Sequence, residues 1–188
     1  MDITYKRAEL GLKDDDIVLF SVGELNHNKN HELVIKALHT IGDSRIHYLI
    51  AGVGVLKDYL QDLSEKYGLR NNVHLLGYRK DIAELCQISD LFVFPSIREG
   101  LGVALMEAMA CKTLVIASNS RGPRDLIKNE KYLFSPDDFV SLAKMIKNII
   151  GKKLKDENNN IIDKNYSHLN NFSIEQIYKK MMDIYKSI

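Results

Sequence analysis

Residues 91–110 read LFVFPSIREGLGVALMEAMA, which is an apolar run, a turn with two glycines and a second apolar run. The first run is typical of a strand covered on both faces, and the second predicts a helix over Val103–Cys111. At such a junction, backbone N–H groups and the positive end of the helix dipole converge where glycines let a ligand approach closely. The stretch therefore predicts an anion site that binds a phosphorylated ligand.

Two carboxylates flank this junction. Glu99 precedes the helix and Glu107 lies inside it, eight residues later, at most about 12 Å away at helical rise. That span suits a ligand with hydroxyl groups at both ends and phosphates between them, as in a nucleotide sugar. The alternative is a buried helix whose carboxylates merely face solvent. The apolar neighbours of Glu107 disfavour it, because an unpaired charge among them is costly.

The rest of the chain predicts an α/β fold. From Asp16 onward, apolar β-branched runs alternate with amphipathic stretches, the pattern of parallel strands connected by helices. The predicted strands are Ile17–Val22, Ile46–Ala51, Val73–Leu76, Leu91–Phe94, Leu114–Ala117 and Tyr132–Phe134. The predicted helices are Asn30–Ile41, Val55–Tyr67, Lys80–Ile88, Val103–Cys111, Arg124–Ile127 and Phe139–Ile150. We expect a doubly wound, mostly parallel, six-stranded Rossmann-like sheet with its ligand beyond the carboxyl ends of the strands.

Residues 1–150 are expected to form this ligand-binding domain, and residues 151–188 a polar linker followed by helices. The segment Gly151–Lys164 is polar enough to predict a mobile surface segment. Residues 173–176 form a capping box, which predicts a final helix with one apolar face. That face would pack either on residues 1–150 or on another domain.

Composition excludes several classes of function. A formal net charge of +1, from 26 basic and 25 acidic residues, gives no field that attracts nucleic acid or an anionic membrane. Cys86 and Cys111 lack metal-ligand spacing and are typical of core thiols in a reducing cytosol. The six histidines are scattered, so we expect no metal site. Because neither a signal peptide nor a membrane span is recognisable, a cytoplasmic location is expected.

Three further loops follow strands at the same sheet edge. Residues 23–31, GELNHNKNH, end the first strand and place Lys29 near the start of a helix. A cation there opposes the helix dipole, and an anionic ligand would reverse that penalty; the alternative is a solvated lysine. Residues 76–82 follow the third strand and form either a ligand contact or an ordinary charged loop. After the fifth strand, Gly122 and Pro123 set a turn and a helix start, a structural role.

The spacing of Glu99 and Glu107, inside Glu-Gly-Leu-Gly and Met-Glu-Ala-Met-Ala, resembles the signature of retaining glycosyltransferases of family 4, which have the GT-B fold. The resemblance implies that this chain is the carboxyl half of such an enzyme, its donor-binding domain. The enzyme would transfer a sugar from a nucleotide diphosphate sugar to a glycan or lipid-linked acceptor, in polysaccharide biosynthesis. It would need an amino-terminal domain, on which the last helix would pack, and it would use no metal cofactor. It would work in the cytoplasm, with peripheral association at the inner face of the membrane.

The resemblance also assigns roles to residues. At the catalytic site, Lys29 would contact the donor diphosphate and stabilise it as it departs, and Glu99 would bind the sugar hydroxyls. Glu99 and Glu107 would position the donor and would act neither as nucleophile nor as general acid. The other residues assigned to donor binding are Gly23, Tyr78, Arg79, Gly100, Leu101, Gly102, Val103 and Glu107. One departure is Glu24, which stands where many members carry an arginine that pairs with the lysine on the diphosphate. Arg98, Arg121 and Arg124 are candidate replacements.

Two other functions stay open at this point. The chain could be half of a nucleotide-sugar epimerase with a related two-domain fold. It could also be a non-catalytic module that binds a nucleotide sugar or docks a partner.

Overall fold

The computed structural model describes residues 3–151, 155–173, 175–176 and 181–182. Its six-stranded sheet has the order β3-β2-β1-β4-β5-β6, and every neighbouring pair is parallel. The strands are β1 Ile17–Val22, β2 Ile46–Ala51, β3 Val73–Gly77, β4 Leu91–Phe94, β5 Val115–Ser118 and β6 Leu133–Phe134. The predicted α/β class and doubly wound sheet are confirmed.

Helices cover both faces of the sheet. They are α1 Ile3–Glu9, α2 His31–Ile41, α3 Lys57–Lys66, α4 Ile82–Ile88, α5 Val103–Ala110, α6 Arg121–Leu126, α7 Phe139–Ile150 and α8 Lys155–His168. On one face α2 packs against α3 and α7, and on the other α4 packs against α1 and α5, with α8 beside α5. None of the helices in the described ranges combines the length and the apolar character that crossing a membrane requires.

The core lies on both faces of the central strands. Leu19 of β1 stands opposite Tyr48 of β2 on one side and Leu91 of β4 on the other, and all three side chains are fully buried. Strands covered on both faces read as continuous apolar runs, which is why β1, β2 and β4 were predictable from the sequence with correct ends.

The structure corrects the prediction of a mobile polar segment at residues 151–164. Residues 155–164 belong to α8, which buries Ile161 and Asn165 and packs against α5. An otherwise polar helix thus docks through a narrow inward-facing strip that composition does not reveal. Residues 152–154 of that segment lie outside the described residues.

Other differences are smaller. Helix α1 was not predicted, and α6 begins at Arg121, with Pro123 in its first turn, where the missing N–H costs nothing. The remaining element ends lie within three residues of the predicted ones. In the tail, the backbone N–H of Gln176 donates to Ser173 Oγ at 3.3 Å, as a capping box requires. The apolar face predicted for the last helix lies mostly outside the described residues.

Candidate functional site

The candidate site lies where the sheet order reverses. From β1 the chain moves outward to β2 and β3, and from β4 it moves the other way to β5 and β6. The loops that leave the carboxyl ends of β1 and β4 therefore diverge and leave a crevice between them, the usual ligand position in such sheets. The first loop carries Lys29, and the second carries Glu99.

Lys29 and Glu99 form an ion pair across this crevice. Lys29 Nζ lies 2.5 Å from Glu99 Oε1, and the two side chains are 22% and 16% exposed. The ammonium also lies 5.5 Å from the centroid of the Phe94 ring. A Cβ atom at Gly23 would lie 3.1 Å from Cδ and Cε of Lys29, so the glycine makes room for the lysine stem. The alternative of a freely solvated lysine is therefore wrong.

The start of α5 borders the same crevice. Gly102 precedes the helix with φ of +78°. Glycine has no side chain that could cap the helix, and among the described residues no side chain makes a capping hydrogen bond to the first turn. The N–H groups of a first helical turn have no partner within the helix, and the dipole favours an anion beside them. Leu101 and Val103 are exposed on either side of Gly102. The binding of an anion at this helix start stays a prediction.

Glu107 lies on the exposed face of α5. The expectation that its apolar neighbours surround it is wrong, because helical periodicity turns Leu105, Ala108 and Met109 inward and Glu107 outward. Its carboxylate is accessible to a ligand and to solvent alike.

The loop after β5 supports the loop after β4. A Cβ atom at Gly122 would lie 2.6 Å from the carbonyl oxygen of Gly100 and 3.1 Å from that of Glu99. In addition, Ser118 Oγ donates a hydrogen bond to the carbonyl oxygen of Ser96. The first turn of α6 thus presses against the backbone that carries Glu99, which confirms the structural role predicted for Gly122.

At the end of β3, the two residues assigned to the donor differ. The Tyr78 side chain is 74% exposed, whereas Arg79 binds the Asp81 carboxylate through Nε at 2.8 Å and Nη2 at 2.5 Å. Lys6 Nζ lies 2.5 Å from the same carboxylate. Arg79, followed by Lys6, holds the pKa of Asp81 well below its usual value. The guanidinium of Arg79 is therefore engaged inside the chain, while the Tyr78 ring faces outward.

Sequence reasoning missed a buried polar chain beneath Lys29. His31 Nδ1 lies 3.0 Å from Tyr48 Oη, which donates to Ser21 Oγ at 2.8 Å. Burial, and then the charge of Lys29, lower the pKa of His31 to about 4. The ring is therefore neutral at physiological pH. An isolated histidine in an amphipathic helix gives no sequence signal of such a role.

Glu24 stands where many members of the family carry an arginine. Glu24 is exposed, and Oε2 of its carboxylate accepts a hydrogen bond from Asn26 Nδ2 at 3.0 Å. The candidate replacements Arg98, Arg121 and Arg124 are all exposed side chains. Lys29 is thus a cation that the structure places in the crevice, and the three arginines stay candidate replacements. Within the described ranges, no three His, Cys, Asp or Glu side chains are grouped as metal ligands.

Comparison with known proteins supplies the family. Residues 2–168 match the family model described as Glycosyl transferases group 1. The chain is 34% identical over 150 residues to the putative glycosyltransferase EpsD of Bacillus subtilis, covering 78% of this chain and 39% of that protein. It is 31% identical over 192 residues to an Escherichia coli enzyme named UDP-Gal:alpha-D-GlcNAc-diphosphoundecaprenol alpha-1,3-galactosyltransferase, covering 96% and 48% respectively.

The fold has close counterparts among solved structures. The crystal structure of Anabaena Alr3699/HepE in complex with UDP superposes with a TM-score of 0.88 at 24% identity, over 100% of this chain and 53% of that one. At this identity the likeness shows the fold alone. The chain spans about half or less of the length of these three proteins.

Proposed function

The chain belongs to the group 1 glycosyltransferases, and we propose that it is the donor-binding domain of an enzyme that transfers a sugar from a nucleotide diphosphate sugar to a glycan or lipid-linked acceptor. The observation that carries the proposal is the Lys29–Glu99 ion pair. It lies beside the start of α5, at the point where the strand order of the sheet reverses. A cation, a carboxylate and the N–H groups at the start of α5 converge there. These groups match the phosphates and hydroxyls of such a donor.

The ion pair suggests how the donor enters. A diphosphate brings negative charge to the crevice and competes with Glu99 for the ammonium of Lys29. Once released, the carboxylate of Glu99 accepts hydrogen bonds from sugar hydroxyls. Each partly buried charge then has a partner both with and without the ligand, which avoids the cost of an unpaired charge.

Lys29 and the amides of α5 would also assist the reaction. As the bond between the sugar and the diphosphate breaks, negative charge develops on the leaving phosphate. Preorganised cations and N–H groups stabilise such charge more than they stabilise the bound donor. We propose that this stabilisation needs no metal ion, so that chelators leave donor binding unchanged.

Two exposed residues, Glu107 and Tyr78, would bind the nucleoside part of the donor. Glu107, exposed on α5, would accept hydrogen bonds from the ribose, and the outward-facing Tyr78 ring would stack on the base. Aromatic rings stack on any base, so Tyr78 contributes affinity rather than choice of base. Arg79, held by Asp81, would shape this turn instead of contacting the donor.

The names of relatives guide the choice of donor and acceptor. The Escherichia coli relative is named for UDP-Gal and for a diphosphoundecaprenol acceptor, and the Anabaena structure contains UDP. We therefore propose a uridine donor and a lipid-linked acceptor, which would place the enzyme in the cytoplasm beside the inner face of the membrane. Transfer would require an additional acceptor-binding domain, because this chain spans 48% of the Escherichia coli relative.

Calorimetric titration tests the donor site directly. The chain is titrated with UDP, GDP, ADP and their common sugars in the presence of EDTA. We expect saturable binding of one nucleotide, and Lys29→Ala to weaken it by at least about tenfold, the value of a charge-assisted hydrogen bond.

Lys36→Ala is the matched control. Lys36 of α2 also forms an ion pair, with Glu32, at similar exposure, but it lies away from the crevice. Its loss leaves nucleotide affinity unchanged. The proposal is contradicted if the folded chain binds none of these nucleotides, or if both substitutions weaken nucleotide binding equally.

A further inference from the structure

The two loops of the crevice are joined directly through one residue, Asn28. Its backbone carbonyl accepts from the N–H of Ile97 at 2.8 Å. Its side chain accepts from the N–H of Arg98 at 3.1 Å and donates to the carbonyl of Arg98 at 2.9 Å. Asn28 immediately precedes Lys29, and Arg98 immediately precedes Glu99. The three hydrogen bonds therefore join the backbones next to both members of the ion pair.

Two more asparagines fix the rest of this loop. Asn26 Oδ1 accepts from the backbone N–H of Lys29 at 3.0 Å. Asn30 adopts the left-handed conformation with φ of +53°, which asparagine tolerates better than most residues, and its Nδ2 donates to the carbonyl of Pro136 at 2.7 Å. Asn26, Asn28 and Asn30 thus tie Lys29 to its own turn, to the Glu99 loop and to the loop before α7.

Only a side-chain amide can make the contact of Asn28. It donates through nitrogen and accepts through oxygen at once, and so it pairs with both polar groups of the Arg98 residue. Aspartate lacks the donor, and alanine lacks both groups. Asn28 is exposed, so this pairing is not a requirement of core packing.

We infer that Asn28 is a positioning residue that sets the separation between Lys29 and Glu99. The inference rests on the proposed function, in which Lys29 meets the diphosphate and Glu99 meets the sugar. Lysine and glutamate are long, flexible side chains, and holding them together costs entropy that can cancel the gain from the pair. Fixing the two backbones at adjacent residues removes part of that cost.

This role predicts a selective defect. Both a nucleoside diphosphate and a nucleotide sugar would contact Lys29 and the α5 amides, but only the nucleotide sugar would also need Glu99. Loss of the Asn28 contact should therefore weaken the binding of UDP-glucose much more than the binding of UDP. A merely destabilised protein would lose affinity for both to the same extent.

The test measures the affinities of Asn28→Ala for UDP and UDP-glucose by calorimetry. We expect about a tenfold loss for UDP-glucose and less than about a twofold loss for UDP, the scale of one or two lost hydrogen bonds. In a Glu99→Gln background, Asn28→Ala should cause no further loss, because coupled residues are not additive.

Asn72→Ala is the matched control. Asn72 also bridges two backbone carbonyls, those of Ser44 at 2.8 Å and Ile46 at 2.9 Å, but it precedes β3 at the opposite end of the sheet. It should lower the free energy of unfolding and leave the ratio of the two affinities unchanged.

Each outcome decides the question. If the unsubstituted chain binds both ligands and Asn28→Ala keeps their ratio, the inference fails while the proposed function stands. If the unsubstituted chain binds neither, the proposed function fails, and a crystal structure of Asn28→Ala tests the positioning by itself. A Lys29–Glu99 pair that stays intact in that structure overturns the inference, and a separation beyond 4 Å, the limit of an ion pair, supports it.

Discussion

The two ends of the sheet carry polar groups of similar kinds, yet they hold them differently. At the amino end, Arg7 donates to three backbone carbonyls and Asp90 accepts from the N–H of Val18 at 2.8 Å. At the carboxyl end, Lys29 and Glu99 pair across a crevice beside the uncapped start of α5. Groups at the amino end are satisfied by the chain's own backbone and stabilise the fold. In the proposed function, the groups at the carboxyl end exchange partners with a ligand.

Removing Arg7 should disrupt the contacts at the amino end of the sheet and have the largest effect of all the substitutions on the stability of the fold. The guanidinium contacts the carbonyls of Ile88 at 3.0 Å, Lys13 at 3.0 Å and Asp16 at 2.6 Å, and the side chain is 13% exposed. Arg7→Ala removes these three hydrogen bonds, although the carbonyl of Lys13 still accepts from the N–H of Asp16 at 3.2 Å. We expect the free energy of unfolding to fall by about 4 kcal/mol. Urea denaturation measures this change.

Nucleotide affinity provides the contrast. Under conditions where Arg7→Ala is folded, its affinity for UDP should equal that of the unsubstituted chain, because Arg7 lies at the other end of the strands. A large loss of affinity at unchanged stability would mean that the two ends are not independent.

Acidification should lower the free energy of unfolding through histidines at both ends of the sheet. The largest contribution of a single residue should come from His31 at the carboxyl end. Burial, and then Lys29, lower the pKa of His31 to about 4, whereas in the unfolded chain it titrates near 6.5. The unfolded state therefore binds the proton first, and stability falls as pH decreases from 6.5 to 4, by about 3 kcal/mol for this residue. His31→Gln should remove that part of the dependence in urea unfolding at pH 7.5, 6 and 5.

The amino end has its own histidine pair for comparison. His47 Nδ1 lies 3.0 Å from His74 Nε2, and burial lowers the pKa of both rings. Asp16 partly opposes the shift for His47, so His47→Gln should flatten the pH dependence less than His31→Gln. Equal slopes in all three proteins would show that neither end governs acid stability.

The histidines illustrate what the sequence could and could not predict. Strands β1, β2 and β4 and the loops with Lys29 and Glu99 were predictable, because apolar runs and glycine turns are local signals. The chain from His31 to Ser21 and the pairing of Asn28 with Arg98 were not, because they join residues far apart in the sequence. The helical periodicity of α5 indicates that Glu107 faces outward, whereas the apolar character of its sequence neighbours wrongly suggests that it is surrounded by them.

Gly122→Ala should disturb the carboxyl end alone. The added Cβ would lie 2.6 Å from the carbonyl oxygen of Gly100 and would push the Glu99 loop away from α6. We expect about a tenfold loss of affinity for UDP-glucose, about 1.4 kcal/mol.

Gly68→Ala is the control for this prediction. Gly68 has φ of +70° with open space where a Cβ atom would lie, so alanine there costs about 1 kcal/mol of stability through backbone strain alone. Unchanged UDP-glucose affinity is expected. If both variants lose affinity equally, the contact between Gly122 and Gly100 does not shape the site.

Arg79→Ala should give the smallest effect. Since Asp81 engages its guanidinium, we expect less than about a threefold change in UDP affinity, the scale of one exposed contact. Tyr78→Ala should cost more, about 1 to 3 kcal/mol for a stacked base. Calorimetry compares the two, and a larger loss for Arg79→Ala would support the sequence-based prediction that Arg79 contacts the donor.

The sheet order has a consequence for the time course of folding. β1 pairs with β2, the next strand in the chain, and with β4, which comes after β3, and Lys29 and Glu99 stand 70 residues apart. Closing so long a loop is entropically costly and slow compared with joining neighbouring segments. The seam between β1 and β4 is therefore expected to close late. Recovery of nucleotide binding during refolding would thus mark the end of folding rather than an early compact state.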